Sequence, residues 1–259
     1  MQPKIAIYGT GNLAFHLAKR LAVVGRSPDY IVSRSRVSGE SFIDALQLSS
    51  DVCLTAEMAG ISADFILLAV PDAVLQTVLM EVAFPKNSIL LHTSGAQPMK
   101  VLATHERYGV LYPLQTFTKS KPVDWSQIPV FVEGNNAQVQ EQIADLAKIL
   151  SPKVKLLTSD VRLRVHLAAV LANNFTNHLF VLADELLASS PVALNDLQHL
   201  IQETVDKAMR MPPAQAQTGP AVRGDHNTMD KHLGLLEHNP EVARLYELIS
   251  KQIADRGKL

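Results

Sequence analysis

Ile5-Ala6-Ile7-Tyr8-Gly9-Thr10-Gly11-Asn12-Leu13-Ala14 is the stretch on which the fold turns. A β-type apolar run over 4–8 leads straight into two glycines, and an apolar-periodic helical stretch follows over 13–24. A strand that enters a glycine turn and leaves as a helix is the opening half of a βαβ unit. Gly9 is expected to make the tight turn. Gly11 lets a pyrophosphate approach the backbone, and Ala14 is small enough for close helix–strand packing. Phosphates would then rest on Thr10, Asn12 and Leu13, where free N–H groups and the helix dipole favour anions. The competing reading is a glycine turn without a ligand. The position between a strand and a helix favours the dinucleotide.

The pattern outward from this motif repeats it. Short apolar runs at 30–33, 65–70, 88–92, 109–112, 129–132 and 154–157 read as strands, with helical patterns over 73–82 and 138–150. Strands alternating with helices of this length predict an α/β fold with a doubly wound, mostly parallel sheet. Ligands of such sheets lie at the carboxyl ends of the strands. The second strand leaves through Ser33-Arg34-Ser35-Arg36. Two arginines and two hydroxyls suit a ribose 2′-phosphate, which a carboxylate there would repel. The only nearby acid, Asp29, starts the strand, at the wrong end for ribose. The cofactor expected is therefore NADP, against the alternative of a solvated basic loop. Val70 and Pro71 end the next strand, with Asp72 expected as a helix N-cap. Thr93-Ser94-Gly95 ends the one after, offering hydroxyls and a backbone opening for a nicotinamide ring.

Near Ser159 the pattern changes. Beyond it lie only helical stretches: 161–188, 193–211, 228–237 and 240–255. The boundary expected is a dinucleotide-binding domain over 1–158 and an all-helical substrate and dimerisation domain over 159–259. The first helix is apolar almost all round, so it is expected to be buried in the helical domain or a dimer interface. Arg162, Arg164, His166, Asn173, Asn174, Asn177, His178 and Asp184 argue against a membrane span. Residues 211–227 hold three prolines and two glycines and read as a long irregular connection.

Composition narrows the partners. Lys plus Arg number 24 against 25 Asp plus Glu, a formal charge of −1 in 259 residues. That balance argues against nucleic acid, as does an aromatic content of 5%. The lone Cys53 forms no internal disulfide, and it lacks a nearby basic group in sequence to activate it. The His226, Asp230, His232, His238 stretch has no recognised metal spacing, so no metal is expected. No secretory leader is visible, and a soluble, cytoplasmic protein is expected.

GTGNLA, SRSR, AVPD, HTSG, YPLQTF (112–117), HLAAVLANNFTNHL (166–179) and QTGPAVRGD (217–225) occur in order along almost the whole chain. Together they resemble a bacterial family that joins a Rossmann-like NADP-binding domain to a helical domain of unknown function, assigned to NADP oxidoreductases. More distantly the layout is similar to pyrroline-5-carboxylate reductase, deazaflavin-dependent NADP oxidoreductases and β-hydroxyacid dehydrogenases. The resemblance implies a 6-phosphogluconate-dehydrogenase-like helical domain, a homodimer, and hydride transfer to or from a small carbonyl, imine or hydroxy compound in an interdomain cleft. The β-hydroxyacid dehydrogenases carry a lysine four residues before an asparagine. Aligned on Asn174, the lysine position is Val170, so that acid is missing here. His166 lies one turn earlier, and regular helical spacing puts 166, 170 and 174 on one face flanked by Asn173 and Asn177. His166 is the expected proton donor, with the asparagines orienting the substrate; a structural polar network is the competing reading. Gln115 and Arg223 are the expected substrate contacts, Arg223 through a substrate carboxylate. A non-catalytic NADP-binding sensor or scaffold is the alternative for the whole chain, and a fold that binds another phosphorylated ligand a weaker third.

Overall fold

The computed structural model describes residues 2–256. Two compact units divide the chain, Met1–Ala169 and Val170–Leu259. The first is built on an eight-stranded sheet: β1 (Ile5–Tyr8), β2 (Tyr30–Ser33), β3 (Asp51–Leu54), β4 (Phe65–Leu68), β5 (Ile89–His92), β6 (Tyr108–Pro113), β7 (Val130–Gly134) and β8 (Val154–Leu156). Their order is β3-β2-β1-β4-β5-β6-β7-β8, which reverses direction between β1 and β4. The switch point where ligands bind is therefore beside the glycine turn. Helices α1 (Asn12–Val23), α2 (Arg36–Leu46), α3 (Asp72–Glu81) and α4 (Ala137–Leu150) flank the sheet, and α5 (Ser159–Ala169) closes the unit.

Alternation within the strands divides the core between the two faces. Ile5, Ile7, Ile31, Leu67, Leu91 and Val132 pack with Leu17 and Leu21 of α1 and Ile143 and Leu146 of α4. Ala6, Tyr8, Val32, Ile66, Leu68 and Leu90 pack on the opposite face with Leu75 and Val78 of α3. Strands buried on both faces read as continuous apolar runs, which is why FILL and ILLH are uninterrupted.

The sheet is mostly parallel, as expected, with one exception: β7 runs antiparallel to β6. Residues 114–129 connect them without a crossover helix, and a chain returning that way can only pair antiparallel. Strand β3 and helix α2 escaped the sequence reading. DVCL is short and starts on an exposed aspartate, while Gly39 and the serines of α2 blur its periodicity. Gly39 sits there because an added Cβ would meet Val52 at 2.5 Å.

The second unit opens with a π-helical turn, Val170–Phe175, that runs into α6 (Thr176–Leu187). It continues with α7 (Gln198–Arg210), α8 (Pro213–Ala216), α9 (Pro220–Arg223), α10 (His226–Leu235) and α11 (Pro240–Arg256). The connection over 211–227 is thus not wholly irregular. Pro213 and Pro220 each stand at the first position of a short helix, where a missing N–H is harmless. The helix expected to be buried is largely exposed in this chain: Leu163, Leu167, Leu171 and Phe175 all present more than 45% of their surface. Among the described residues no helix is long and apolar enough to cross a membrane.

Candidate functional site

Gly9 adopts φ +112°, and a Cβ there would stand 2.7 Å from the Ala69 carbonyl oxygen. Only glycine can turn the chain this close to β4. Gly11 differs, because nothing lies within 4 Å of the place its Cβ would take. It precedes α1 without any side-chain cap, so the first N–H groups of that helix have no side-chain acceptor at the cap. Ala14 is fully buried, as close packing of α1 on the sheet demands. Over the turn opens a cleft of about 520 Å³. Gly9, Thr10 and Gly11 form its floor, and Val70, Pro71 and Val74 line it from the β4–α3 side. At its far end stand Ser33, Arg34, Ser35 and Ser38, and no described carboxylate lines it.

The β2 exit is held by hydrogen bonds among its own serines. Ser33 Oγ donates to the Ser35 carbonyl. The Ser35 hydroxyl caps α2 by accepting from the Ser38 N–H (3.3 Å) and also meets the Ser38 hydroxyl at 2.9 Å. Ser38 was missed in the sequence, because α2 was not read there and a serine at this position carries no capping-box signal, which needs Glu or Gln. Arg34 is exposed on the cleft rim. Arg36 instead approaches Glu57 at 3.6 Å and does not line the cleft. The cleft fits a dinucleotide by its open space over Gly11, its uncapped helix start, and a β2 exit of hydroxyls and one guanidinium.

Cys53 lies between these elements, buried. Burial, and next the Glu57 carboxylate, push its thiol pKa up, while Arg36 opposes them weakly. A basic group is thus nearby after all, but its influence is outweighed and the thiol stays inert.

The second part of the site lies at the ends of β5 and β6. Thr93 and Ser94 are buried, and their hydroxyls are engaged rather than offered. Thr93 Oγ donates to the Leu68 carbonyl (3.1 Å). Ser94 Oγ donates to Asp72 (2.7 Å) while accepting from the Ala96 and Gln97 N–H groups. Asp72 is therefore not the N-cap of α3, which is Pro71; its carboxylate reaches across to hold the Ser94 turn. His92 is buried, and its Nδ1 accepts from the Ser94 N–H at 3.2 Å. Burial first, and the Arg162 charge second, lower its pKa to about 3, so it stays neutral.

Helix α5 is fastened to this region by charge. Arg162 is 1% exposed and forms an ion pair with Glu133 of β7. Its guanidinium also donates to the Gln97 carbonyl at 2.5 Å. Glu133 accepts in addition from the N–H (2.9 Å) and hydroxyl (2.8 Å) of Ser159, an anion at the start of the helix. One turn beyond Arg162, this anchorage carries His166 to Tyr112, whose hydroxyl lies 3.1 Å from His166 Nδ1. The two groups meet above Gly95, where a Cβ would come within 2.6 Å of Nδ1 and 2.8 Å of the hydroxyl. Both rings are half-buried. Burial is the main influence raising the Tyr112 pKa; Arg162 opposes it and Asp72 adds to it. The phenol therefore keeps its proton at neutral pH. In sequence Tyr112 stands only as the first residue of YPLQTF, with nothing local to mark a role for its hydroxyl.

The other expected residues are placed as follows. Gln115 is exposed beyond β6, and its side-chain oxygen accepts from the Thr116 N–H (2.8 Å), so it faces its own loop. Asn173 and Asn174 lie in the π-helical turn and Asn177 on α6, all three exposed. The single face drawn for 166, 170 and 174 assumed regular α-helical spacing, which stops at Ala169. Two adjacent asparagines, whose side chains compete for backbone groups, are a physical reason for the change. Arg223 ends α9 and is exposed; Asp225 beyond it caps α10 through Thr228.

A doubly wound sheet with an uncapped glycine turn at its switch point defines a dinucleotide-binding protein with a helical second unit. Comparison with known families narrows this class. Residues 4–94 match the model for NADP oxidoreductase, coenzyme F420-dependent, and residues 128–253 match a domain of unknown function, DUF2520. A solved structure from Bacteroides fragilis, provisionally named an NADP oxidoreductase, is 34% identical with a TM-score of 0.85, covering 98% of both chains. The chain belongs to this family, which joins an NADP-oxidoreductase-type domain to DUF2520. Two more distant structures share the fold. A reductive aminase from Aspergillus terreus, in complex with NADPH and ethyl-5-oxohexanoate, is 15% identical over 99% of this chain and 90% of its own, with a TM-score of 0.65. A 1-pyrroline-5-carboxylate reductase from Streptococcus pyogenes is 16% identical over 99% of both, at 0.62. No curated protein matches the chain.

Proposed function

We propose that this chain is an NADP(H)-dependent oxidoreductase acting on a small carbonyl, imine or hydroxy compound. The observation that carries the reading is the cleft over Gly11, open where phosphates would lie and ending in Arg34 and three serines with no carboxylate. Gly9, Thr10, Gly11 and the first N–H groups of α1, from Asn12 and Leu13, would hold the diphosphate. Ser33, Arg34, Ser35 and Ser38 would hold the 2′-phosphate, a dianion that Arg binds in fork geometry. When bound, the cofactor supplies the hydride, and the protein's task is to orient, to exclude water and to deliver a proton. Thr93, Ser94 and Gly95 form a rigid turn at the sheet edge for the substrate to meet. His166, held above Gly95, is the proton donor to the developing oxygen or nitrogen anion. Asn173, Asn174, Asn177 and Arg223 are the substrate contacts of the second unit in this reading.

Further support comes from the relatives, since solved proteins of this fold carry names of reductases and an aminase. A homodimer is part of the same reading, supported by the exposed Leu163, Leu167, Leu171, Phe175 and Leu186. A soluble, cytoplasmic location belongs with it. The experiment is NADPH consumption against small ketones, keto acids and cyclic imines, with hydroxy acids and NADP⁺ in reverse. Turnover with one of these classes is expected. NADPH binding without turnover across all of them would favour the sensor reading, for which Val170 in the lysine position is the supporting feature.

A further inference from the structure

The geometry points to Tyr112 as a second catalytic residue: its hydroxyl gives the proton to the substrate, and His166 restores it. This rests on the oxidoreductase reading and alters its last step. Three observations carry it. The Tyr112 hydroxyl and His166 Nδ1 are in hydrogen-bond contact at 3.1 Å, although 54 residues separate them. They meet over Gly95, at the carboxyl edge of β5, where any side chain would displace one or the other. Both elements that bring them there are fixed. β6 pairs on both sides within the sheet, and α5 is held by the Arg162–Glu133 pair one turn before His166. Two half-buried groups locked in contact at the strand edge where substrates bind make a proton relay rather than a packing contact.

The step balances without further reagents. The two electrons come from the reduced nicotinamide dinucleotide, which is oxidised as the substrate carbon is reduced. As negative charge grows on the carbonyl oxygen or imine nitrogen, the phenol O–H bond breaks toward it. The Nδ1–H of His166 passes to the phenolate oxygen, and a solvent proton arrives at Nε2. The imidazole ends neutral with its proton on the other nitrogen. A raised Tyr112 pKa serves this role, because the phenol enters each cycle protonated.

Tyr112→Phe keeps the ring and removes only the hydroxyl. The expected result, with NADPH and the best substrate of the ketone, keto acid and cyclic imine panel, is a fall in kcat of about 100-fold or more. KM and NADPH affinity are expected to stay within about threefold, a change of roughly 0.6 kcal/mol. A readout independent of turnover is NMR of ring-labelled tyrosine in the cofactor-free protein. The Tyr112 resonance, identified by its loss in Tyr112→Phe, is expected to move when His166 becomes Gln. Tyr112→Phe with wild-type kcat, or a Tyr112 resonance indifferent to His166→Gln, overturns the relay while leaving the cofactor site standing. A wild-type protein that binds no NADPH overturns both.

Discussion

Two glycines separated by a single residue behave oppositely. Gly9 is held at positive φ against the Ala69 carbonyl, so Gly9→Ala is expected to destabilise the fold by about 1–3 kcal/mol. A Cβ on Gly11 would meet no neighbour, so Gly11→Ala is expected to cost less than about 1 kcal/mol, the loss of a favoured N-cap residue. The added methyl fills the phosphate seat, however, and should weaken NADPH binding at least about tenfold, roughly 1.4 kcal/mol. Urea unfolding and NADPH titration on both variants check the contrast. His92 carries a pH dependence whose sign follows from its folded pKa of about 3, below the ordinary 6.5. Above about pH 6.5 neither state is protonated and its stability contribution is complete. As pH falls, the unfolded chain takes up a proton that the folded chain refuses until about pH 3. Stability is therefore lost on acidification, by about 1.4 kcal/mol per pH unit from this group. Between pH 7 and 5 the wild type is expected to lose roughly 2 kcal/mol more than His92→Leu, measured by urea unfolding.

The decisive pairing among elements is α5 on the sheet edge. Glu133 compensates a guanidinium that is 1% exposed, so Glu133→Ala leaves a buried charge unpaired and is expected to cost about 3–5 kcal/mol. Differential scanning or urea unfolding measures it, and a loss below about 1 kcal/mol would mean that solvent reaches Arg162. None of this was visible in sequence. Arg162 read as one of several polar interruptions in an apolar helix, and nothing local pairs it with a glutamate 29 residues earlier. What sequence did reveal were elements with strong local signals: the strand–glycine–helix opening, the continuous apolar strands β4 and β5, and α4. Short, half-polar β3 and serine-rich α2 were lost because their burial comes from neighbours rather than from their own pattern. β7 was read as a strand over 129–132, but its antiparallel direction was not legible because an apolar run carries no direction. At the site, the cofactor turn was legible by motif. Ser38 and Tyr112 needed the fold to bring them to the β2 exit and to His166.

At the scale of the whole molecule, approximate charge neutrality conceals a local feature, one free arginine among serines at the β2 exit. The exposed apolar residues Leu163, Leu167, Leu171 and Phe175 predict self-association. Light scattering at micromolar concentration is expected to give twice the 28.3 kDa of one chain, and a monomer would refute the dimer. Narrower, and more directly tested, is the proposal that the cleft over Gly11 takes NADP(H). Fluorescence titration of the wild type and of Arg34→Ala with NADPH and NADH is the measurement. Micromolar NADPH binding is expected, with NADH weaker by about tenfold or more, and a preference that collapses in Arg34→Ala as a charge-assisted contact worth roughly 1.5–3 kcal/mol is lost. Equal binding of the two dinucleotides, or none of either, would contradict the proposal.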